Sequence, residues 1–234
     1  MDKLIFDREP QKWQDLEKLV HQAFDEMGYV SEIGKEVPTV RGKVRIDVFA
    51  KKTTSAIPAV VLCECKYWKK RVDQNVIHAF RSVCADAGAH LGLIISKVGF
   101  QSGAGESREK TNIHLLNFRE FQSTYFREWA DGIFIRFIHM RDALLLLIPG
   151  NPNVKEGSEL LAKLSAIEAF KKYDIFFGPN NYVQFFLFDR CFPITITDPR
   201  GDPNVLKAVT INSPRQYYEI ACQAVSDARA YFGL

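Results

Sequence analysis

The sequence predicts an α/β domain in the order α-β-β-β-α-β, followed by a smaller α+β region, and three observations carry that prediction. Apolar residues recur at helical spacing from Gln11 to Met27. Three segments with strand periodicity or strand-like apolar runs come next, between Tyr29 and Trp68. A second helical pattern and a nearly all-apolar strand then occupy Val72 to Ser96.

The first helix is read from Trp13, Leu16, Leu19, Val20, Ala23 and Phe24, with Gly28 as its stop signal. Glu17 lies one turn after Trp13, at the margin of that stripe. Tyr29 to Val37 reads as the first strand and Lys43 to Lys51 as the second, joined through Arg41-Gly42. In the second strand Val44, Ile46 and Val48 alternate with Arg45, Asp47 and Phe49, so alternation assigns Asp47 to the face opposite the aliphatic side chains. After a polar tract and Pro58, AVVLCECKYW has the length and β-branched content of a buried strand.

The second helix is expected from Val72 to Ala87, with Val72, Val76, Phe80 and Val83 or Cys84 at turn spacing and Gly88 beyond its end. His90 to Ser96 reads as a central strand. After GFQSGAGES a short helix is expected, then a strand at Ile113 to Leu116, then helix through Phe121, Tyr125 and Trp129. Further on, Leu144 to Ile148 ends in the break Pro149-Gly150-Asn151-Pro152, and Glu159 to Tyr173 looks helical. Val183 to Phe188 and Phe192 to Thr197 read as strands around Asp189-Arg190, and Pro214 to Phe232 as a terminal helix. The expected division is residues 1–130 and 131–234.

Composition sets outer bounds. With 47% apolar and 25% charged residues, the chain can bury a real core. The opening MDKLIFDREP builds no apolar run of the secretory kind, and Leu144 to Ile148 is too short to cross a bilayer. A cytoplasmic chain without membrane partners is expected, and five cysteines without framework spacing fit free thiols. A net charge of +3 permits nucleic acid as partner without demanding it. Local clusters say more: Arg41, Lys43 and Arg45 precede Asp47, and Lys69, Lys70 and Arg71 follow Lys66, each able to face phosphates or simply solvent.

The chemistry concentrates in Asp47 and, one strand later, Glu64-Cys65-Lys66. Residues two apart on a strand share a face, so Glu64 and Lys66 project together while Cys63 and Cys65 turn to the core. If the second and third strands are adjacent and antiparallel, Asp47 comes beside Glu64. Two close carboxylates repel unless a cation or a retained proton intervenes. A divalent metal resolves that conflict, and Mg²⁺, with its preference for carboxylate and water oxygens, suits a site without soft ligands. Such an ion polarises a phosphoryl oxygen and acidifies water, and Lys66 adds a charge able to orient that water or take its proton.

These residues resemble the PD-(D/E)xK nuclease superfamily, and more closely its Mrr-like restriction endonuclease branch. The resemblance rests on WQDLEKLV with Glu17, GKVRID ending at Asp47, ECKYW from Glu64 to Trp68, Ala87-Gly88-Ala89 and GFQSGA from Gly99, in the family's order over residues 8 to about 120. It implies a restriction-endonuclease-like core, a central mixed sheet flanked by helices. It further implies Mg²⁺, for which Mn²⁺ substitutes, held by Asp47, Glu64 and the main-chain carbonyl of Cys65, with Lys66 catalytic and Glu17 assisting. Ile46 stands where the family's motif has proline before the first acid, a variation that leaves the acid in place.

Gln101 and Ser102 either meet DNA phosphate at a helix start or cap that helix. Tyr67 and Trp68 either stack on bases or pack beneath the loop. FFGPNNYVQFFLF is core and sheet surface or a recognition or dimer face, while GAGESREKT lacks the glycine that a phosphate loop places before its lysine. The expected function is a Mg²⁺-dependent DNA endonuclease of restriction or anti-phage type, with residues 131–234 serving recognition or assembly and a homodimer suggested by double-strand cleavage. The rivals are a Holliday junction resolvase or repair nuclease, and a non-catalytic nucleic-acid-binding sensor.

Overall fold

A computed structural model describes residues 3–53, 58–102, 111–145, 192–198, 200 and 207–232. The chain divides into two compact units, Met1–Trp129 and Ala130–Leu234. The first is built on a five-stranded sheet of β1 (Val30–Thr39), β2 (Gly42–Lys52), β3 (Ala59–Lys66), β4 (Leu91–Ser96) and β5 (Ile113–Asn117), in that spatial order. β1, β2 and β3 pair antiparallel, whereas β3, β4 and β5 pair parallel, so the sheet is mixed. The change follows from the connections: β1 and β2 turn through a hairpin, while β3 reaches β4 through α2 (Gln74–Asp86), the kind of crossover a parallel neighbour requires.

On α1 (Trp13–Glu26), Leu16, Leu19, Val20, Ala23 and Phe24 form the buried stripe. Trp13 does not belong to it. Its side chain is 53% exposed, at the first residue of the helix. Gly28, at φ 84°, ends the helix in a conformation that favours glycine. Phe24 meets Tyr29, Phe121 and Tyr125 at ring separations of 5.2, 6.0 and 6.4 Å, an aromatic layer over one sheet face. At the helix's end the buried Glu26 carboxylate accepts the Trp129 indole N–H at 2.6 Å and the Gln22 side-chain amide at 2.9 Å.

α2 packs on the other face through Ile77, Phe80 and Cys84, with Leu62, Ile94 and Ile113 beneath. It starts later than its spacing suggests. Asp73 is its N-cap, accepting the Val76 amide at 3.2 Å, and Val72 instead bridges to Phe100, donating to the Gly99 carbonyl and accepting from the Gln101 amide, each at 3.0 Å. A Cβ on Gly92 would lie 2.5 Å from Ile113 and 2.7 Å from Cys84, so this strand glycine is what lets α2 approach the sheet. At the amino edge of the parallel strands, the Val60 amide donates to His90 Nδ1 at 3.0 Å, and the Asn112 amide reaches the Ala89 and His90 carbonyls at 3.1 and 3.3 Å.

The boundary between the units falls within α3 (Phe118–Leu145), which runs four turns past Trp129. Trp129, Ile133 and Phe137, all buried at intervals of four residues, continue its pattern. The second unit holds an antiparallel pair, β6 (Ile194–Thr197) with β7 (Ala208–Ile211), and α4 (Pro214–Phe232), whose buried face includes Tyr217, Ala221, Ala224 and Ala228. The expected strand at Phe192 to Thr197 and the terminal helix are present, and β7 was passed over by the sequence pattern. The expected elements at 159–173 and 183–188, the break at 149–152, the aromatic tract at 176–188 and the segment 103–110 lie outside the described residues.

Candidate active site

β2 and β3 run in register from Lys52 opposite Ala59 to Val48 opposite Cys63, and there the ladder stops. One step further the same register sets Asp47 against Glu64. The Asp47 carboxylate takes the place of the next ladder bond, its Oδ2 accepting the Cys65 amide at 2.8 Å. The Lys66 carbonyl accepts from Lys97 on the β4 side, so the alternation of a strand turns both the amide and the carbonyl of Cys65 toward β2 and Asp47. Two carboxylates and one main-chain carbonyl therefore gather at the mouth of the fork.

The alternation that assigns Asp47 to one face does not hold through it. Val44 and Ile46 pack into the α2-side cluster, and so does Phe49, which an unbroken alternation would turn the other way. The reversal falls at Asp47 and has its counterpart on β1, where Gly34, between the pairs Ile33 with Val48 and Lys35 with Ile46, adopts φ 69°. A Cβ at Gly34 would lie 2.7 Å from the Arg45 guanidinium, which sits against it. The departure from regular pleating frees the Asp47 carboxylate to turn along the sheet edge.

Glu64 and Lys66 share a face and are in direct contact, Lys66 Nζ with Glu64 Oε1. Their side chains are 21% and 16% exposed. The Trp68 ring holds the Lys66 ammonium 5.0 Å from its centroid and that of Lys70 at 5.6 Å. Beside them a cavity of about 310 Å³ opens against α2, with Arg45, Glu64, Lys66, Trp68 and Phe80 in its wall. Cys63 and Cys65 are buried, and burial first, then neighbouring charge, lifts their thiols well above the ordinary range.

Glu17 arrives from α1. Its pKa is raised, by burial first and then by repulsion from Asp47 and Glu64, against the opposing pull of Arg45 and Lys66. That of Glu64 is raised by burial and then by Asp47, against the hydrogen bond from Lys66. The structure thus brings together Glu17, Asp47, Glu64 and Lys66. Among the described residues no three His, Cys, Asp or Glu side chains stand as a complete metal cage. Two carboxylates, a carbonyl and room for water are nonetheless the partial donor set that Mg²⁺ accepts, since it keeps several waters of its own. Lys66 is the positive charge that Glu64 holds.

The basic residues are dispersed. Lys43 faces Glu36 at 3.7 Å with both side chains about 70% exposed, a pair worth little. Arg45 lies over Gly34, and Lys69, Lys70 and Arg71 are exposed beyond the Trp68 turn. Gln101 and Ser102 are exposed, and the Gln101 amide is bonded back to Val72. The Gly34 and Arg45 contact was missed by sequence reasoning, and a glycine inside a strand was the available signal.

A restriction endonuclease family model, Mrr_cat, matches residues 9–125. A solved crystal structure of a protein of unknown function, AF1548, is similar over 69% of this chain and 97% of that one, at 14% identity and a TM-score of 0.42. No curated protein matches the chain.

Proposed function

The chain belongs to the Mrr-type restriction endonuclease family, whose members generally use divalent metals, and on that premise we propose that it is a Mg²⁺-dependent endonuclease that hydrolyses DNA phosphodiester bonds in restriction or anti-phage defence. The observation that carries the reading is the fork itself, where Asp47 and Glu64 face one another beside the Cys65 backbone and Lys66 closes the cluster. Asp47, Glu64 and the Cys65 carbonyl would hold the ion, with Mn²⁺ as a substitute. A divalent cation there supplies Lewis acidity toward the phosphodiester and makes water a stronger acid.

The protein's own groups do the rest. Lys66, held by Glu64 and the Trp68 face, is placed to orient the attacking water and to receive its proton. Asp47 is fixed by the Cys65 amide, so its position does not depend on a mobile partner. Burial and the neighbouring acids raise the pKa of both Glu17 and Glu64, so each is inclined to carry a proton. The second unit serves recognition or assembly, and two copies acting together would cut both strands of a duplex. No helix among the described residues is long and apolar enough to cross a membrane, and we propose a cytoplasmic site of action.

The test is cleavage of linear duplex, base-modified duplex, four-way junction and single-stranded DNA by the full chain in Mg²⁺, alongside Lys66→Ala. Duplex cutting that Lys66→Ala loses supports the reading. Junction cutting with inert duplexes reassigns the substrate to a resolvase, and a Lys66→Ala protein as fast as the parent overturns the mechanism.

A further inference from the structure

A cavity of about 530 Å³, large enough for a nucleotide, opens where β3, β4 and β5 end. Glu9, Tyr67, Lys97, Asn117 and Arg119 are in its wall. The parallel register aligns Lys66, Ser96 and Asn117 across the three strands, and the Lys97 amide donates to the Lys66 carbonyl at 3.0 Å. Adjacent strands lie about 4.8 Å apart, so the cavity begins within one or two strand widths of Lys66.

Its chemistry is that of a phosphate neighbour. Lys97 places its ammonium 4.0 Å from the centre of the Tyr67 ring, and Tyr67 is anchored by its hydroxyl donating to the Pro10 carbonyl at 3.0 Å. Arg119 brings a second cation from the first turn of α3. The α3 terminus itself offers less, because Asn117 and Glu120 cap one another, the Glu120 amide donating to Asn117 Oδ1 at 2.8 Å and the Asn117 amide to Glu120 Oε2 at 2.7 Å. Among the described residues of the wall, Glu9 is the acid.

We propose that this cavity holds the nucleotide next to the one cut at Lys66, its phosphate between Lys97 and Arg119. The inference rests on reading Asp47, Glu64 and Lys66 as the cutting site. It sends the cleaved strand along the carboxyl edge of the sheet, from the β2–β3 fork across β4 to β5, and the contact is to sugar and phosphate, blind to base identity.

The experiment is fluorescence anisotropy of a labelled single-stranded DNA oligonucleotide binding the full chain in EDTA, across a salt series. Lys97→Ala and Arg119→Ala should each weaken binding and reduce the slope of log affinity against log salt by about 0.7, and the double variant by about twice that. Glu9→Gln should tighten binding, a change of sign that a structural role would not give. Lys18→Ala, at an exposed position on α1, is the control with an unchanged slope. No binding by the parent, or a double variant with the parent's slope, overturns the proposal. Cleavage by the parent in Mg²⁺ or Mn²⁺ is scored separately, so an inactive chain with the slope changes sinks the nuclease reading and leaves the subsite standing.

Discussion

The two halves of α1 each turn a glutamate toward protein, and the two meet opposite company. Glu26, 7% exposed, finds a donor for each oxygen, the Trp129 indole and the Gln22 amide. Glu17, half-buried, finds Asp47 and Glu64, and its pKa rises. A buried acid with matched donors serves as a strut. One that faces other acids is disfavoured in its charged form, and a cation between them relieves the repulsion. The same residue type on one helix thus separates structure from chemistry by its partners alone.

The largest effect is expected at the unbalanced end. Lys66→Ala should lower the cleavage rate by about 10²–10⁴-fold while circular dichroism reports an intact fold. A loss of fold in place of a loss of rate would make the cluster a strut like Glu26. The matched end should answer in the other currency: Glu26→Ala leaves the buried Trp129 N–H without its acceptor and should cost about 1–3 kcal/mol in urea denaturation. The cleavage rate per folded molecule should stay at the parent's value, and a rate falling in step with stability would erase the distinction.

The smallest effect sharpens the comparison through pH. The carboxyls of Glu17 and Glu64 sit above their usual value of 4.5, so the metal-free folded state favours their protonated forms. That contribution is complete below the unfolded value and is lost as pH rises through the raised ones. Glu17→Gln should therefore raise the urea midpoint of the metal-free chain at pH 7 and leave it unchanged at pH 4, and Mg²⁺ should shrink the gain. An equal shift at both pH values would mean that Glu17 acts by packing.

Much of this was legible in the sequence because its signals are local. Alternation and β-branched runs located β2 and β3, and the two-residue step from Glu64 to Lys66 placed both on one face. The parts that escaped depend on residues distant in the chain. Gly34 and Asp47 reverse the pleat together, and alternation within either strand alone cannot report it. Val72 reads as a helix residue until Phe100 arrives beside it. Trp13 fits the α1 stripe by spacing and is exposed, at the first residue of the helix. β7 spans four residues, too short to declare a period. Tyr67 joins Lys97 only through the parallel register of β3 and β4.

The parallel strands carry Glu64, Lys66 and Asn117 at their carboxyl ends, while the loop joining α2 to β4 lies at the other edge, held by His90 and Asn112. Ala59 to Lys66 spans seven steps of about 3.3 Å, so roughly 20 Å separate the two edges. A fluorophore, a tether or a fused reporter grafted onto that loop would sit outside the reach of a strand seated at the fork. The sheet gives an engineer a handle on one rim and leaves the cutting rim untouched.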